Sequence, residues 1–123
     1  MGPDLNRGRE EYPRVVFMGT PTFASIILEG LLEDGWNVVG VVTQPDRPAG
    51  RGRRTLESPV KQLALQAKIP VFQPTALKTA EAQHALQALR PDLMVVVAYG
   101  LLLTPRVLAA PRLGCVNIHA SLL

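Results

Sequence analysis

Arg14-Val-Val-Phe-Met-Gly-Thr-Pro21 is the stretch that decides the fold. Four apolar residues in succession, closed by Gly19, predict a short strand buried on both faces. Thr20 then offers a helix cap and Pro21 suits the first helical position, so the strand should pass directly into a helix. Along that helix Ser25, Glu29 and Glu33 recur every four residues as one polar stripe. Phe23, Ala24, Ile26, Ile27, Leu28, Leu31 and Leu32 make the remainder apolar, which predicts broad packing, and Gly35 supplies the stop.

The alternation repeats down the chain. Asn37–Thr43 reads as a second buried strand, and residues 44–57 read as a loop punctuated by Pro45, Pro48, Gly50 and Gly52. Ser58-Pro59 opens a helix with Val60, Leu63, Ala64 and Ala67 on one face, and Pro70 ends it. Val71-Phe72 is a minimal strand. Thr79 caps a helix with Ala82, Ala85, Leu86 and Leu89 inside, stopped by Pro91. Asp92–Ala98 is the most strand-like segment, Thr104-Pro105 starts a short helix, and Gly114–His119 is the last strand. Wholly apolar strands alternating with helices predict an α/β fold: a doubly wound, mainly parallel, Rossmann-like sheet with helices on both faces. Ligands of such folds bind at the carboxyl ends of the strands. The segments to search are therefore Gly19–Phe23, Thr43–Ser58, Tyr99–Leu103 and the strand end at His119. Residues 1–13 lack apolar periodicity and read as a flexible amino-terminal extension.

Composition narrows the function classes. With 123 residues, 47% hydrophobic and 19% charged, the chain can bury one core, and wholesale disorder is excluded. A single cysteine excludes a disulfide framework and any multi-cysteine zinc module, and two histidines 35 residues apart make a weak metal case, so no metal is expected. The longest apolar run, Leu93–Leu103, has 11 residues, short of the ~20 a membrane helix needs. The polar amino terminus is no secretory signal, and Asn6 stands where myristoylation wants Ser or Thr; a cytoplasmic setting is expected. The net charge of +3 is uneven: residues 1–46 balance at −4 and residues 47–123 at +7. Arg47, Arg51, Arg53 and Arg54 fall within eight residues. Such a cluster suits a polyanion, since the planar guanidinium fork pairs with phosphate, or it is simply a solvated loop.

Familiar nucleotide motifs fail. The turn after the first strand lacks the second and third glycines of a dinucleotide fingerprint, and Pro21 removes a backbone donor. The Gly50–Thr55 loop lacks the lysine-hydroxyl pair of a phosphate loop. Thr75-Ala-Leu-Lys78 matches an acyl-enzyme nucleophile motif only with Thr for Ser and carries no weight. Asn117-Ile-His119 is more informative, because residues two apart on a strand share a face with Cys115. An asparagine amide can donate to a developing oxyanion, and a histidine beside it can donate or move a proton. The alternative is a satisfied structural pair. Cys115 reads as a small buried apolar residue, Phe23 as core and His84 as surface.

Four segments in order carry a resemblance: Phe17-Met-Gly-Thr-Pro21, Thr43-Gln-Pro-Asp-Arg-Pro-Ala-Gly-Arg-Gly52, Val95-Val-Val-Ala-Tyr-Gly100 and Gly114-Cys-Val-Asn-Ile-His-Ala-Ser-Leu-Leu123. Together they resemble the methionyl-tRNA formyltransferase family across residues 14–123. The Asn-x-His-x-Ser-Leu-Leu signature belongs to the wider 10-formyltetrahydrofolate-using group, and the arginine-rich loop is the more specific mark. The resemblance implies transfer of the formyl group of 10-formyltetrahydrofolate, a co-substrate, to the α-amine of methionine on initiator tRNA. It implies that Asn117 and His119 stabilise the tetrahedral oxyanion and help move protons. It also implies that Tyr99, Gly100, Leu101, Leu102 and Leu103 form the pterin-binding edge. The loop bearing Arg47, Arg51, Arg53 and Arg54 is then the contact to the tRNA acceptor end. No membrane and no obligate protein partner are indicated.

The family's catalytic aspartate, the Pro and Arg-Gly after Ser-Leu-Leu, and the carboxy-terminal tRNA-holding domain have no counterpart in these 123 residues. The expectation is an amino-terminal part of the catalytic domain, its sheet incomplete at the carboxyl end, with little transferase activity by itself. Two alternatives stay open. One is another formyl-folate transferase or hydrolase; the other is a truncated module that binds RNA or folate without catalysis.

Overall fold

Val15–Gly19 forms strand β1 and Thr22–Glu33 forms helix α1 in the computed structural model, which describes residues 12–49, 54–97 and 103–118. There follow β2 (Val38–Val42), β3 (Arg47–Ala49), β4 (Arg54–Leu56), α2 (Pro59–Gln66), β5 (Val71–Phe72), α3 (Ala80–Ala88), β6 (Leu93–Val97), α4 (Pro105–Ala109) and β7 (Cys115–Ile118). Five of the strands make one parallel sheet in the order β5-β2-β1-β6-β7. The chain starts at the centre, winds outward to β5, then crosses β1 and winds outward to β7, which is the doubly wound arrangement.

Alternation along β1 divides the core. Val15 and Phe17 join Ala24 and Leu28 of α1 and Val60 and Ala64 of α2 on one face. Val16 and Met18 join Leu77, Leu86 of α3 and Val107 of α4 on the other. Side chains of neighbouring strand residues point to opposite faces, so an unbroken apolar run is what a sheet covered on both sides requires.

The helix ends follow local chemistry. Ser58, Thr79 and Thr104 accept hydrogen bonds from the backbone N–H three residues on, at 3.1, 3.1 and 3.2 Å. Gly35, at φ +84°, donates its N–H to Leu32 O, and Trp36 donates to Leu31 O, a closure that needs a left-handed residue. Lys68, at φ +61°, closes α2 in the same way two residues before Pro70, its own N–H donating to Leu65 O and that of Ile69 to Ala64 O, so the turn rather than the proline ends that helix.

Four further sequence expectations are corrected. Thr20 does not hold the cap position of α1: Pro21 does, without a side-chain bond, and the Thr20 hydroxyl bonds to Thr43 and Gln44 just beyond β2. Packing of α1 is narrower than its composition suggests, because Ile26 is 62% exposed. Ala67 also lies outside the buried face of α2. Most consequentially, the loop at 44–57 contains a second, antiparallel ribbon made of β3 and β4.

At the amino-terminal edge of the sheet, Asp92 ties β1 to β6. Its Oδ2 accepts the Arg14 N–H at 2.8 Å and its Oδ1 accepts Arg112 Nε at 3.1 Å. The backbone bond from Arg14, then the Arg112 guanidinium, hold the Asp92 carboxyl below its ordinary value. A carboxyl so depressed stabilises the fold above its unfolded-state pKa and loses that contribution as pH falls through the folded value. Asp92→Ala should therefore cost about 1–2 kcal/mol at neutral pH. In urea titrations against pH the difference from the parent should vanish once the carboxyl protonates.

Candidate functional site

At the carboxyl edge of the sheet Gly19, Val97 and Ile118 stand in register across β1, β6 and β7. The chain leaves β1 toward α1 on one face and reaches α4 after β6 on the other, so the switch in winding falls between these two strands. Gly19 lets the backbones close there. A Cβ on it would lie 2.7 Å from Ala24 Cβ and 2.8 Å from Val97 O.

Asn117 sits one residue short of that edge, on β7, paired with Val96 of β6 and solvent-exposed. It shares a face with Cys115, which packs against the cluster of Met94, Val96 and Val107, and Ile118 packs against the opposite cluster. Parallel strands lie about 4.8 Å apart, so Asn117 stands roughly 10 Å from β1 beside the switch point. The Cys115 thiol contacts Leu108 O at 3.6 Å, and its partial burial raises its pKa, which keeps it a thiol near neutrality. His119 lies outside the described residues.

Beside this edge, where β2 and β5 end, a polar network carries the ribbon. Thr43 is fully buried; its hydroxyl lies 3.2 Å from both Thr20 Oγ1 and Ser58 Oγ, and Thr20 Oγ1 also accepts the Gln44 N–H. Asp46, directly before β3, pairs with Lys61 of α2 at 2.8 Å. Lys61 also reaches Glu57, directly after β4, at 3.4 Å. Gln73, directly after β5, donates to Asp46 Oδ1 at 2.7 Å and to Gln44 O at 3.2 Å. Hydrogen bonds from Lys61 and then Gln73 lower the Asp46 pKa, and the bond to Asp46 raises that of Lys61. The pair therefore stays fully charged across the neutral range.

Arg47 and Arg54 lie on the ribbon. Register sets Arg47 opposite Leu56 and Arg54 opposite Ala49, so the two arginine positions sit diagonally across it, two residues apart in register. Arg51 and Arg53 lie outside the described residues, as do Tyr99, Gly100, Leu101 and Leu102. Leu103 is half-buried against the cluster that includes Met94 and Val107, beyond the carboxyl end of β6. Phe23 packs against the core and His84 is exposed.

A cleft of about 340 Å³ opens between the 73–79 segment and α3, floored by Val42, Phe72 and Leu86 and rimmed by Thr75 and Glu81. Sequence reasoning missed it, and missed the network of Asp46, Lys61 and Gln73, because those residues are 15 and 27 positions apart in pairs and belong to no motif. Among the described residues no three His, Cys, Asp or Glu side chains gather to hold a metal, and no helix is long and apolar enough to cross a membrane.

Comparison with known proteins gives three results. The family model described as "Formyl transferase" matches residues 13–123. Methionyl-tRNA formyltransferases from Pseudomonas fluorescens (strain Pf-5) and Marinobacter nauticus are 63% and 60% identical over 110 residues, 89% of this chain and 34–35% of theirs. The chain thus spans about a third of the length of the curated relatives it matches. Two solved structures share the fold: glycinamide ribonucleotide transformylase 1 from Geobacillus kaustophilus (TM-score 0.63, 23% identity, covering 91% of this chain and 60% of that one) and from Symbiobacterium toebii (0.65, 22%, 99% and 57%).

Proposed function

The chain belongs to the formyl transferase family, and we propose that it serves as the amino-terminal part of a methionyl-tRNA formyltransferase. In this reading residues 14–123 open the catalytic domain, residues 1–13 precede it, and the enzyme works in the cytoplasm. The observation that carries the choice of substrate is the 63% identity to relatives of that name. The arginine-bearing ribbon, which follows β2 at the carboxyl edge of the sheet, supports it.

The reaction moves a formyl group from 10-formyltetrahydrofolate to the α-amine of methionine on initiator tRNA. Attack on the formyl carbon places negative charge on its oxygen, and the Asn117 amide, exposed at the strand edge, is the donor we assign to that oxygen. His119 is assigned the proton that the amine must lose; the bond from the formyl carbon to N10 of the folate then breaks, and the departing N10 takes up a proton as tetrahydrofolate leaves. The group beyond β6 must seat an aromatic pterin. Leu103, apolar and half-buried there, fits one side of such a ring, and the backbone of Tyr99–Leu102 is assigned its polar edge.

Arg47 and Arg54 of the ribbon, and Arg51 and Arg53 between them in sequence, are assigned to phosphates at the tRNA acceptor end. Arg47→Ala and Arg54→Ala should each weaken tRNA binding and lower the slope of log affinity against log salt by about one. The decisive experiment supplies the full encoded protein with charged initiator tRNA and 10-formyltetrahydrofolate. Formylmethionyl-tRNA is the expected product. Transfer to glycinamide ribonucleotide or to a sugar nucleotide in its place would overturn the reading.

A further inference from the structure

We propose that Asp46, Lys61 and Gln73 are positioning residues that fix the direction in which the β3–β4 ribbon meets tRNA. The proposal rests on the reading of that ribbon as the tRNA contact.

A two-stranded ribbon of three-residue strands is marginal alone, and among the described residues β3 and β4 pair with each other and not with the five-stranded sheet. Its direction must therefore be set where it joins the domain. Lys61 closes that junction from one side, because a single ammonium holds Asp46 as the chain enters the ribbon and Glu57 as it leaves. Gln73 holds the entering strand from the other side, at Asp46 Oδ1 and Gln44 O. Thr43 and Ser58 add a second cross-tie one step closer to the sheet. Lys61 and Asp46 are mostly covered, with side chains 15% and 22% exposed, so water competes only partly for the pair. Neither charge is needed by the core, whose two clusters are apolar. What the pair constrains is the angle of an insertion carrying phosphate-binding arginines. A contact made by several such groups at once is sensitive to displacements of about 1 Å.

The test uses the full encoded protein. Asp46→Ala and Gln73→Ala should raise KM for charged initiator tRNA roughly tenfold, with kcat and the KM for the formyl donor essentially unchanged. Amide exchange in β3 and β4 should quicken while exchange in β1 and β6 stays at the parental rate. Asp46→Glu, which keeps the carboxylate, should stay near the parent in both measurements. Unchanged exchange in the ribbon would overturn the proposal. So would a rise in both KM values together with faster exchange across the sheet, the mark of a merely structural role. Arg54→Ala in the same assay separates the two readings. If it raises the tRNA KM and Asp46→Ala does not, positioning is wrong. If neither does while ribbon exchange quickens, the assignment of the ribbon to tRNA has failed and the proposal falls with it.

Discussion

Asn117→Ala in the full encoded protein is expected to lower formyl transfer by about 10²–10³-fold, the usual loss when one oxyanion donor is removed. The loss should fall on kcat with both KM values nearly unchanged, because the donor is called on only as charge develops. Asn117 is exposed on a strand locked in register with β6, so truncating its side chain leaves no hole in the core. Val116, the neighbouring residue on the opposite face and 46% exposed, gives the control. Val116→Ala should retain activity within a few-fold. Transfer by Asn117→Ala within threefold of the parent would remove Asn117 from the mechanism.

Gly19→Ala is expected to be the most damaging single methyl in the described part of the chain. The added carbon would meet Ala24 Cβ at 2.7 Å and the Val97 carbonyl oxygen at 2.8 Å, atoms fixed by a helix and by the central strand pair. Neither can turn aside, so β1 must move away from β6 or α1 must lift. Overpacking typically costs about 1–3 kcal/mol, and against atoms fixed on both sides the upper end of that range is expected, seen as a lower urea midpoint. Gly40→Ala shows the contrast. Its new carbon would meet Leu89 Cδ1 at 2.6 Å, but that is the end of a flexible side chain at the border of the core. A cost near 1 kcal/mol is expected there. Equal costs at the two glycines would mean that the β1–β6 junction is less rigid than its contacts imply.

The sheet was legible because parallel strands buried on both faces must be apolar throughout, and Val15–Gly19, Val38–Val42 and Leu93–Val97 are. Caps at Ser58, Thr79 and Thr104 were equally plain, since each hydroxyl serves its own next turn. Thr20 misled because its hydroxyl has a better acceptor-donor set across the sheet, at Thr43 and Gln44, than in its own helix. The ribbon was hidden because Pro48 and the flanking glycines argue against strands, and three-residue strands are too short to show an alternation of their own. Asn117 could be singled out because the two-residue period of a strand set it beside Cys115 and His119. The Asp46–Lys61–Gln73 network could not, because only the fold brings those segments together.

The ribbon's attachment has a consequence for how specificity can be changed. Its two ends are held by one lysine on a neighbouring helix, and its own ladder shares no register with the sheet. The described strands of the ribbon, residues 47–49 and 54–56, therefore form a unit joined to the domain at its two ends. A ribbon of different length or charge could be grafted between Asp46 and Glu57 without shifting a single pair in the β1–β6–β7 ladder that carries Asn117. The fold thus separates the ribbon assigned to the acceptor from the strand assigned to the chemistry, so a change in the first is expected to leave the register of the second in place.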